Sequence, residues 1–375
     1  YYMASIGHIM GAKIETDMRN DIYIHLQTLS DNFYNETKIG QIMSRMTNDL
    51  FDITEFSHHC PEEYFIGAIK IVISFVILVS INVPLTIAIF IMIPIMFISS
   101  SKFKDKMRVE QKKQRVHVGN LNSSIEDSLL GVKVVKSFAN EEIELEKFEK
   151  DNNNFLSIKK RFYKSMAGFN TVNRAIDGLM YLIVIVFGGV QMIRGMLDPG
   201  DMLAYVMYVT ALLTTVKRII EFTEQFQKGM TGIERFNEIM GIESDIVDSE
   251  DAIDLKDVRG DIDFKNVSFR YNKGLEYVLK DFDLSIKKGQ NVALVGPSGS
   301  GKTTVCTLIP RFYDVTEGGV YVDGVNVKDF TLSSLRNNIG IVQQDVYLFS
   351  GTIKENIAYG KPEATDNEII EASKM

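Results

Sequence analysis

The chain has 375 residues, enough for two domains or more, and its mean hydropathy of +0.01 averages two unlike parts. Residues 65–226 carry several apolar runs, whereas those from about Asp261 onward have the mixed composition of a soluble α/β domain. The net charge of −8 hides a basic stretch at 102–115 and an acidic one at 243–257; no recognised nucleic-acid motif goes with either, and Cys60 and Cys306 lie in contexts too unlike for a disulfide framework. The opening at Tyr1, with no signal peptide and no initiator Met, reads as a fragment beginning inside a helix.

In chain order, residues 1–30 read as one helix, because Ile6, Ile9, Met10, Ile14, Met18, Ile22, Leu26 and Leu29 recur at helical spacing. Residues 31–40 interrupt it. A second helix from near Gln41 enters an apolar run at 64–83, Asn82-Val83-Pro84 turns tightly, and 85–99 is apolar again. The first run, broken by Lys70, only just reaches the roughly 20 residues that cross a bilayer, and the second is short of it. Ile, Val, Phe and Met nevertheless fill all faces of both helices, so the pair reads as a transmembrane hairpin, with a buried soluble hairpin as the alternative. The turn carries no Lys or Arg, while Lys102, Lys104, Lys106, Arg108, Lys112, Lys113 and Arg115 follow the second run, which makes that side cytoplasmic. The basic run itself reads as a solvated helix face near anionic headgroups.

The helix continues through Leu121, Ile125, Leu129 and Val132. A charged stretch at 140–154 follows, and helical pattern returns from Phe155 into a third apolar run at 178–193. Residues 195–200 turn outside, and a fourth run at 202–216 ends at Lys217 and Arg218, which either snorkel to headgroups or face a cavity. The helices thus extend far beyond the bilayer before reversing at 31–40 and 137–144. We assign 1–240 to a membrane domain, 241–260 to an acidic linker and 261–375 to a soluble α/β domain. In that last part Ile262–Phe269, 278–286, 291–295, 319–322 and 339–342 read as strands, and Leu332–Asn337 as a helix capped by Thr331.

Between the strand at 291–295 and a helix at 303–310 stands Gly296-Pro297-Ser298-Gly299-Ser300-Gly301-Lys302-Thr303-Thr304. This is the phosphate-loop pattern of Gly, four residues, Gly, Lys, Ser/Thr, in the strand–loop–helix order the pattern requires. Glycines let successive backbone N–H groups converge on one anion, and the following helix adds the positive end of its dipole. Lys302 is placed to meet the β- and γ-phosphates of ATP, and the Thr303 hydroxyl to ligate Mg²⁺.

A phosphate loop behind long, cytoplasm-reaching membrane helices resembles exporter-type ABC half-transporters, the bacterial lipid and multidrug exporters. Phe33-Tyr34-Asn35-Glu36-Thr37-Lys38-Ile39-Gly40 and Met43-Ser44-Arg45-Met46-Thr47-Asn48-Asp49 are similar to the family's first intracellular loop, and Val135-Lys136-Ser137-Phe138-Ala139-Asn140-Glu141 to its second. Val267-Ser268-Phe269-Arg270-Tyr271 resembles the entry to the nucleotide domain, where an aromatic ring stacks on adenine. The resemblance implies that role for Tyr271, against the plain reading of a strand aromatic. Val342-Gln343-Gln344-Asp345, then Leu348-Phe349-Ser350-Gly351-Thr352, is similar to the glutamine loop, so Gln344 aligns with the residue that touches Mg²⁺ and senses the γ-phosphate.

The resemblance implies a membrane helical bundle followed by an α/β P-loop ATPase domain that is incomplete. Two further spans are expected before Tyr1, and the signature motif, catalytic Glu and switch His beyond Met375. It further implies a multi-pass protein of the cell membrane, in contact with the lipid bilayer and with its ATPase domain in the cytoplasm. A second half-transporter, identical or different, is the expected partner, and a lipid, drug-like amphiphile or peptide the substrate. The chain alone is expected to bind nucleotide weakly and hydrolyse essentially none. An ATP-gated channel on the same scaffold and a membrane-tethered P-loop kinase are the alternatives. His58-His59-Cys60 invites a metal reading, but adjacent helical residues diverge, so all three do not easily face one ion.

Overall fold

The computed structural model of the chain describes residues 3–272, 274–343 and 346–374. It divides into two compact units, Tyr1–Gln27 with Ile39–Ile242, and Thr28–Lys38 with Glu243–Met375.

The first unit is all helix. A π-helical turn at Met3–Gly7 leads into α1 (His8–Thr28). The first reversal is itself helical at α2 (Asp31–Glu36) and belongs to the second unit. The chain re-enters the first unit through α3 (Ile39–Ser44) and a second π-turn, which continue into α4 (Leu50–Ile81). Then come α5 (Val83–Leu130), α6 (Val132–Ser137), α7 (Glu141–Ile193) and α8 (Pro199–Met240). The charged stretch at 140–154 is therefore mostly helix rather than a break. Glu141, Glu142 and Glu144 sit in the first turn of α7, where carboxylates favour the helix dipole.

The turn between α4 and α5 shrinks to Asn82 alone, whose side chain accepts from the Leu85 amide at 3.1 Å while Pro84 occupies the first turn, where its missing N–H costs nothing. The fully buried Tyr205 of α8 ties this turn down: its hydroxyl lies 2.8 Å from the carbonyls of Leu78 and Asn82 and 2.9 Å from Thr86 Oγ1. Around it Leu78, Leu85, Ile89, Met180, Val184 and Val209 form the core, with α4 running against α8 and α5 against α7.

Among the described residues, four helical stretches are long and apolar enough to cross a membrane: Ile39–Ile81, Val83–Leu130, Glu141–Ile193 and Pro199–Met240. Only 17% of the apolar window in the first of these is buried inside the protein, so its Phe65, Val72 and Val76 project outward, as side chains solvated by lipid would. Lys217 and Arg218 do not reach away from the bundle as free charges. Lys217 Nζ is 2.5 Å from Asp177 Oδ2, and Arg218 Nη2 is 2.6 Å from Glu63 Oε1.

In the second unit, β1 (Ile262–Phe269), β2 (Leu279–Ile286), β3 (Glu317–Val322) and β4 (Val325–Asn326) make one antiparallel sheet of order β2-β1-β3-β4. Phe264, Val267, Phe269, Val320 and Val322 bury one face of it against α9 (Lys302–Leu308) and α10 (Leu332–Asn337). Two capped helices follow, α11 (Ile353–Ala358) and α12 (Asp366–Ala372), each with a capping box led by Thr352 or Thr365.

The segments 291–295 and 339–342, expected as strands, pair with no strand among the described residues. Val295 is 94% exposed and Val342 99%. A parallel strand in the middle of an α/β sheet is satisfied only by neighbours on both sides, and the antiparallel sheet here offers them none. The aperiodic stretch after α8 is packed rather than loose. Leu255 enters the core, the Ile253 amide donates to Asp329 O at 2.9 Å and the Thr331 amide to Ile253 O at 3.0 Å.

Candidate functional site

The glycine-rich loop from Gly296 to Gly301 links 291–295 to α9 and packs against the start of β2. Gly301 lies at φ +85, and a Cβ there would come within 2.8 Å of Leu279 Cδ2 at the start of β2, so both the conformation and the space demand glycine. Gly299 also has positive φ, whereas Gly296 to Ser300 are solvent-exposed. Lys302 folds back over the loop, its Nζ donating to Gly296 O at 2.9 Å and Pro297 O at 2.8 Å. An ammonium held by two neutral carbonyls is free to exchange them for a stronger acceptor. Thr303 is exposed beside it, and Thr304 is buried. The first-turn amides of α9 have no intrahelical acceptor, as at any helix start. An exposed loop of small residues, open amides and one mobile cation fits a polyphosphate.

Tyr271 reaches the same loop from the end of β1. Its hydroxyl is 2.9 Å from Thr304 Oγ1, and its ring meets Phe269 and Tyr313 edge-on at 4.9 and 5.1 Å. Tyr313 in turn accepts a hydrogen bond from Asn35 Nδ2 of α2, while Asn272 Nδ2 donates to Glu36 Oε1 at 2.8 Å. Burial first, then the carboxylate of Asp31 and the phenol of Tyr271, push the Tyr313 phenol up to about 12. The structure thus brings Tyr271, Thr304 and the loop into one cluster and joins α2 to it. Gln344 lies outside the described residues. Tyr313 escaped the sequence reading, which placed Asn35 in the first intracellular loop without its partner. An aromatic pair, Phe312-Tyr313, just past the phosphate-loop helix was the only local sign, and nothing local marks Asn35 as its partner.

Residues 1–216 match the ABC transporter transmembrane region, and residues 279–375 match the family described as ABC transporter. The chain belongs to the ABC transporter family. Over 375 residues this ABC transporter chain is 40% identical to the uncharacterized ABC transporter ATP-binding protein YwjA of Bacillus subtilis, a match that spans all of the chain and 65% of that protein. Over 374 residues it is 35% identical to YgaD of Bacillus subtilis, provisionally named a multidrug export ATP-binding/permease protein, spanning all of the chain and 64% of the relative. The fold is that of a solved bacterial Atm1-family ABC exporter with ATP bound, at a TM-score of 0.78 and 24% identity over 97% of this chain and 64% of that one. The ABC transporter chain therefore spans about 65% of the length of the relatives it matches. Its ATPase-type domain implies ATP binding, generally with Mg²⁺.

Proposed function

We propose that the chain is one half of a dimeric ABC exporter that uses ATP to move a lipid, drug-like amphiphile or peptide outward across the cytoplasmic membrane. One observation carries this reading. Residues 28–38 group with the nucleotide-binding unit although the helices on either side of them group with the membrane-type unit. A chain that leaves its membrane helices to supply part of the ATPase unit, then returns, has a covalent path for coupling the two.

In this reading Lys302 exchanges the carbonyls of Gly296 and Pro297 for β- and γ-phosphate oxygens. The loop amides from Gly296 to Thr304 cradle the phosphates. Tyr271 stacks on adenine, and Thr303 with Gln344 holds Mg²⁺. Bound ATP with Mg²⁺ supplies the phosphoryl chemistry and draws the two nucleotide domains together. Because Tyr271 and Tyr313 lie between the loop and Asn35, a change at the loop is passed to α2, and the two-state equilibrium of the transporter shifts by the difference in ATP affinity between its states. The second reversal supports a partner subunit. Phe138, just after α6, is 72% exposed, and Ser128, Leu129, Val132, Leu145 and Phe148 line an apolar cavity of about 340 Å³ beside it.

The test is ATPase activity of the reconstituted protein with and without candidate amphiphiles. Hydrolysis that is stimulated by a transported compound and abolished by Lys302→Ala supports the exporter. Phosphorylation of a small molecule in place of hydrolysis points to a kinase.

A further inference from the structure

We propose that His8, His58 and His59 form a binding site for one divalent transition-metal ion, with Zn²⁺ the best fit. The site lies where α1 crosses α4, and its residues come from one unit. Gly11 sets the crossing: a Cβ at that position would stand 2.8 Å from Thr54 Cγ2 and 3.1 Å from His58 Nδ1, so only glycine lets the two backbones come this close. One turn earlier on α1, His8 then lies over the gap between His58 and His59. This resolves the difficulty that two adjacent residues on one helix diverge. Their Cα–Cβ bonds leave the helix in different directions, but the two rings turn toward each other, 4.0 Å between centroids, and the third ligand comes from another helix, with its ring 4.8 and 5.0 Å from theirs.

The donor geometry is prepared. The nitrogens that the three histidines offer lie within 4.8 Å of one another. His58 is buried, and its Nδ1 is 2.6 Å from Thr54 O. A carbonyl only accepts, so Nδ1 carries the proton and Nε2 keeps its lone pair. That is the backbone-carbonyl arrangement that orients metal-binding imidazoles. His58 Nε2 is 3.2 Å from His8 Nδ1. Two nitrogens on a tetrahedral Zn²⁺, at about 2.0–2.1 Å from the metal, stand about 3.3 Å apart. His59 completes the set by a small ring rotation. Its ring lies 4.0 Å from that of His58, and Glu55 Oε2 beside its Nε2 at 3.7 Å adds negative charge. Imidazole ligands without an oxygen cage select Zn²⁺, Cu²⁺ or Ni²⁺ over Mg²⁺ and Ca²⁺. Cys60 takes no part; it is buried elsewhere, with its thiol 3.6 Å from Phe222 O. An ion held here would staple α1 to α4 across 50 residues of chain.

The experiment uses protein expressed from its complete reading frame, stripped of any polyhistidine tag and of metal, in lipid nanodiscs. Co²⁺ serves as the spectroscopic probe, and Zn²⁺ is titrated against a chromophoric chelator. The proposal expects one Co²⁺ per chain with the strong visible absorption of a tetrahedral nitrogen site, displaced by one equivalent of Zn²⁺. His58→Gln should lower Zn²⁺ affinity at least about tenfold. His8→Gln, at an exposed position that should not disturb folding, should do the same, whereas Cys60→Ser should leave it unchanged. If wild-type protein binds no more Co²⁺ or Zn²⁺ than a variant lacking all three imidazoles, the trio is a hydrogen-bonded core cluster and the proposal fails. It fails equally if binding survives His8→Gln.

Discussion

The Tyr271 hydroxyl lies 2.9 Å from Thr304 Oγ1, so the aromatic at the head of the nucleotide unit is bonded to the buried threonine that ends the phosphate loop. Ring and hydroxyl therefore have separable jobs. Tyr271→Phe keeps the ring and should leave ATP affinity within about twofold, while loss of the hydrogen bond lowers stability by about 1 kcal/mol. Tyr271→Ala also removes the stacking surface, worth about 1–3 kcal/mol per base, and should weaken ATP binding by roughly tenfold or more. Nucleotide titration and thermal unfolding of the two variants check this. Unchanged affinity in the alanine variant would remove Tyr271 from the adenine site.

Tyr313 makes the nucleotide unit alkali-sensitive. Its phenol titrates near 12 when folded, above the ordinary tyrosine value of about 10. Between those two values the folded state holds a proton that the unfolded chain has lost. The stabilisation is complete below about pH 10 and disappears as pH rises through 12. Tyr313→Phe should flatten that alkaline limb in pH-dependent unfolding. An unchanged limb would mean that another group sets it.

The Asn35–Tyr313 hydrogen bond joins α2 to the aromatic cluster beside the loop, and in the proposed coupling a change at the loop reaches α2 through it. Asn35→Ala should leave ATP affinity within about twofold but lower the stimulation of hydrolysis by transported compounds, since a lost hydrogen bond of about 1 kcal/mol changes a two-state equilibrium roughly fivefold. Basal and stimulated ATPase rates, measured side by side, separate this from a binding defect.

Lys217 pairs with Asp177 on the wall of a cavity of about 360 Å³ that is also lined by Ser100, Lys104, Phe169, Asn173 and Glu224. Asp177 Oδ1 is buried without a hydrogen-bond partner among the described residues. Lys217 is partly exposed, so Lys217→Gln should cost only about 1 kcal/mol of stability. It should nevertheless alter which compounds stimulate hydrolysis while basal activity persists. If stimulated and basal rates fall together, the pair is structural.

The exposed second reversal should meet a partner subunit. Cysteines at Ala139 or Asn140 and at positions just after Gln344 should crosslink between protomers, and Phe138→Glu should reduce the yield. Absence of crosslinks across several pairs would count against docking.

Local signals were legible. Alternation located β1 at Ile262–Phe269, Thr331 marked the start of α10, and glycine spacing located the turn in which Gly299 and Gly301 take positive φ. What escaped depends on distant residues. The apolar segment 291–295 looks like a strand on its own, but pairing requires neighbours that its composition cannot specify. Val320 and Val322, in paired β3, are buried, whereas Val295 and Val342 are exposed. His8 lies 50 residues from His58, and Asn35 lies 278 from Tyr313; only the folded chain brings either pair together.

In the proposed function, ATP at the loop from Gly296 to Thr304 drives vectorial transport. The direct measurement is uptake of a fluorescent amphiphile or labelled lipid into inside-out vesicles against its gradient, for wild type, Lys302→Ala and Asn35→Ala. We expect ATP-dependent accumulation in the wild type. Lys302→Ala should abolish it, because the loop loses its only side-chain cation for the β- and γ-phosphates, and Asn35→Ala should reduce it while ATP still binds. Equilibration without accumulation would indicate a gated channel, and accumulation that survives Lys302→Ala would contradict the assignment of the loop.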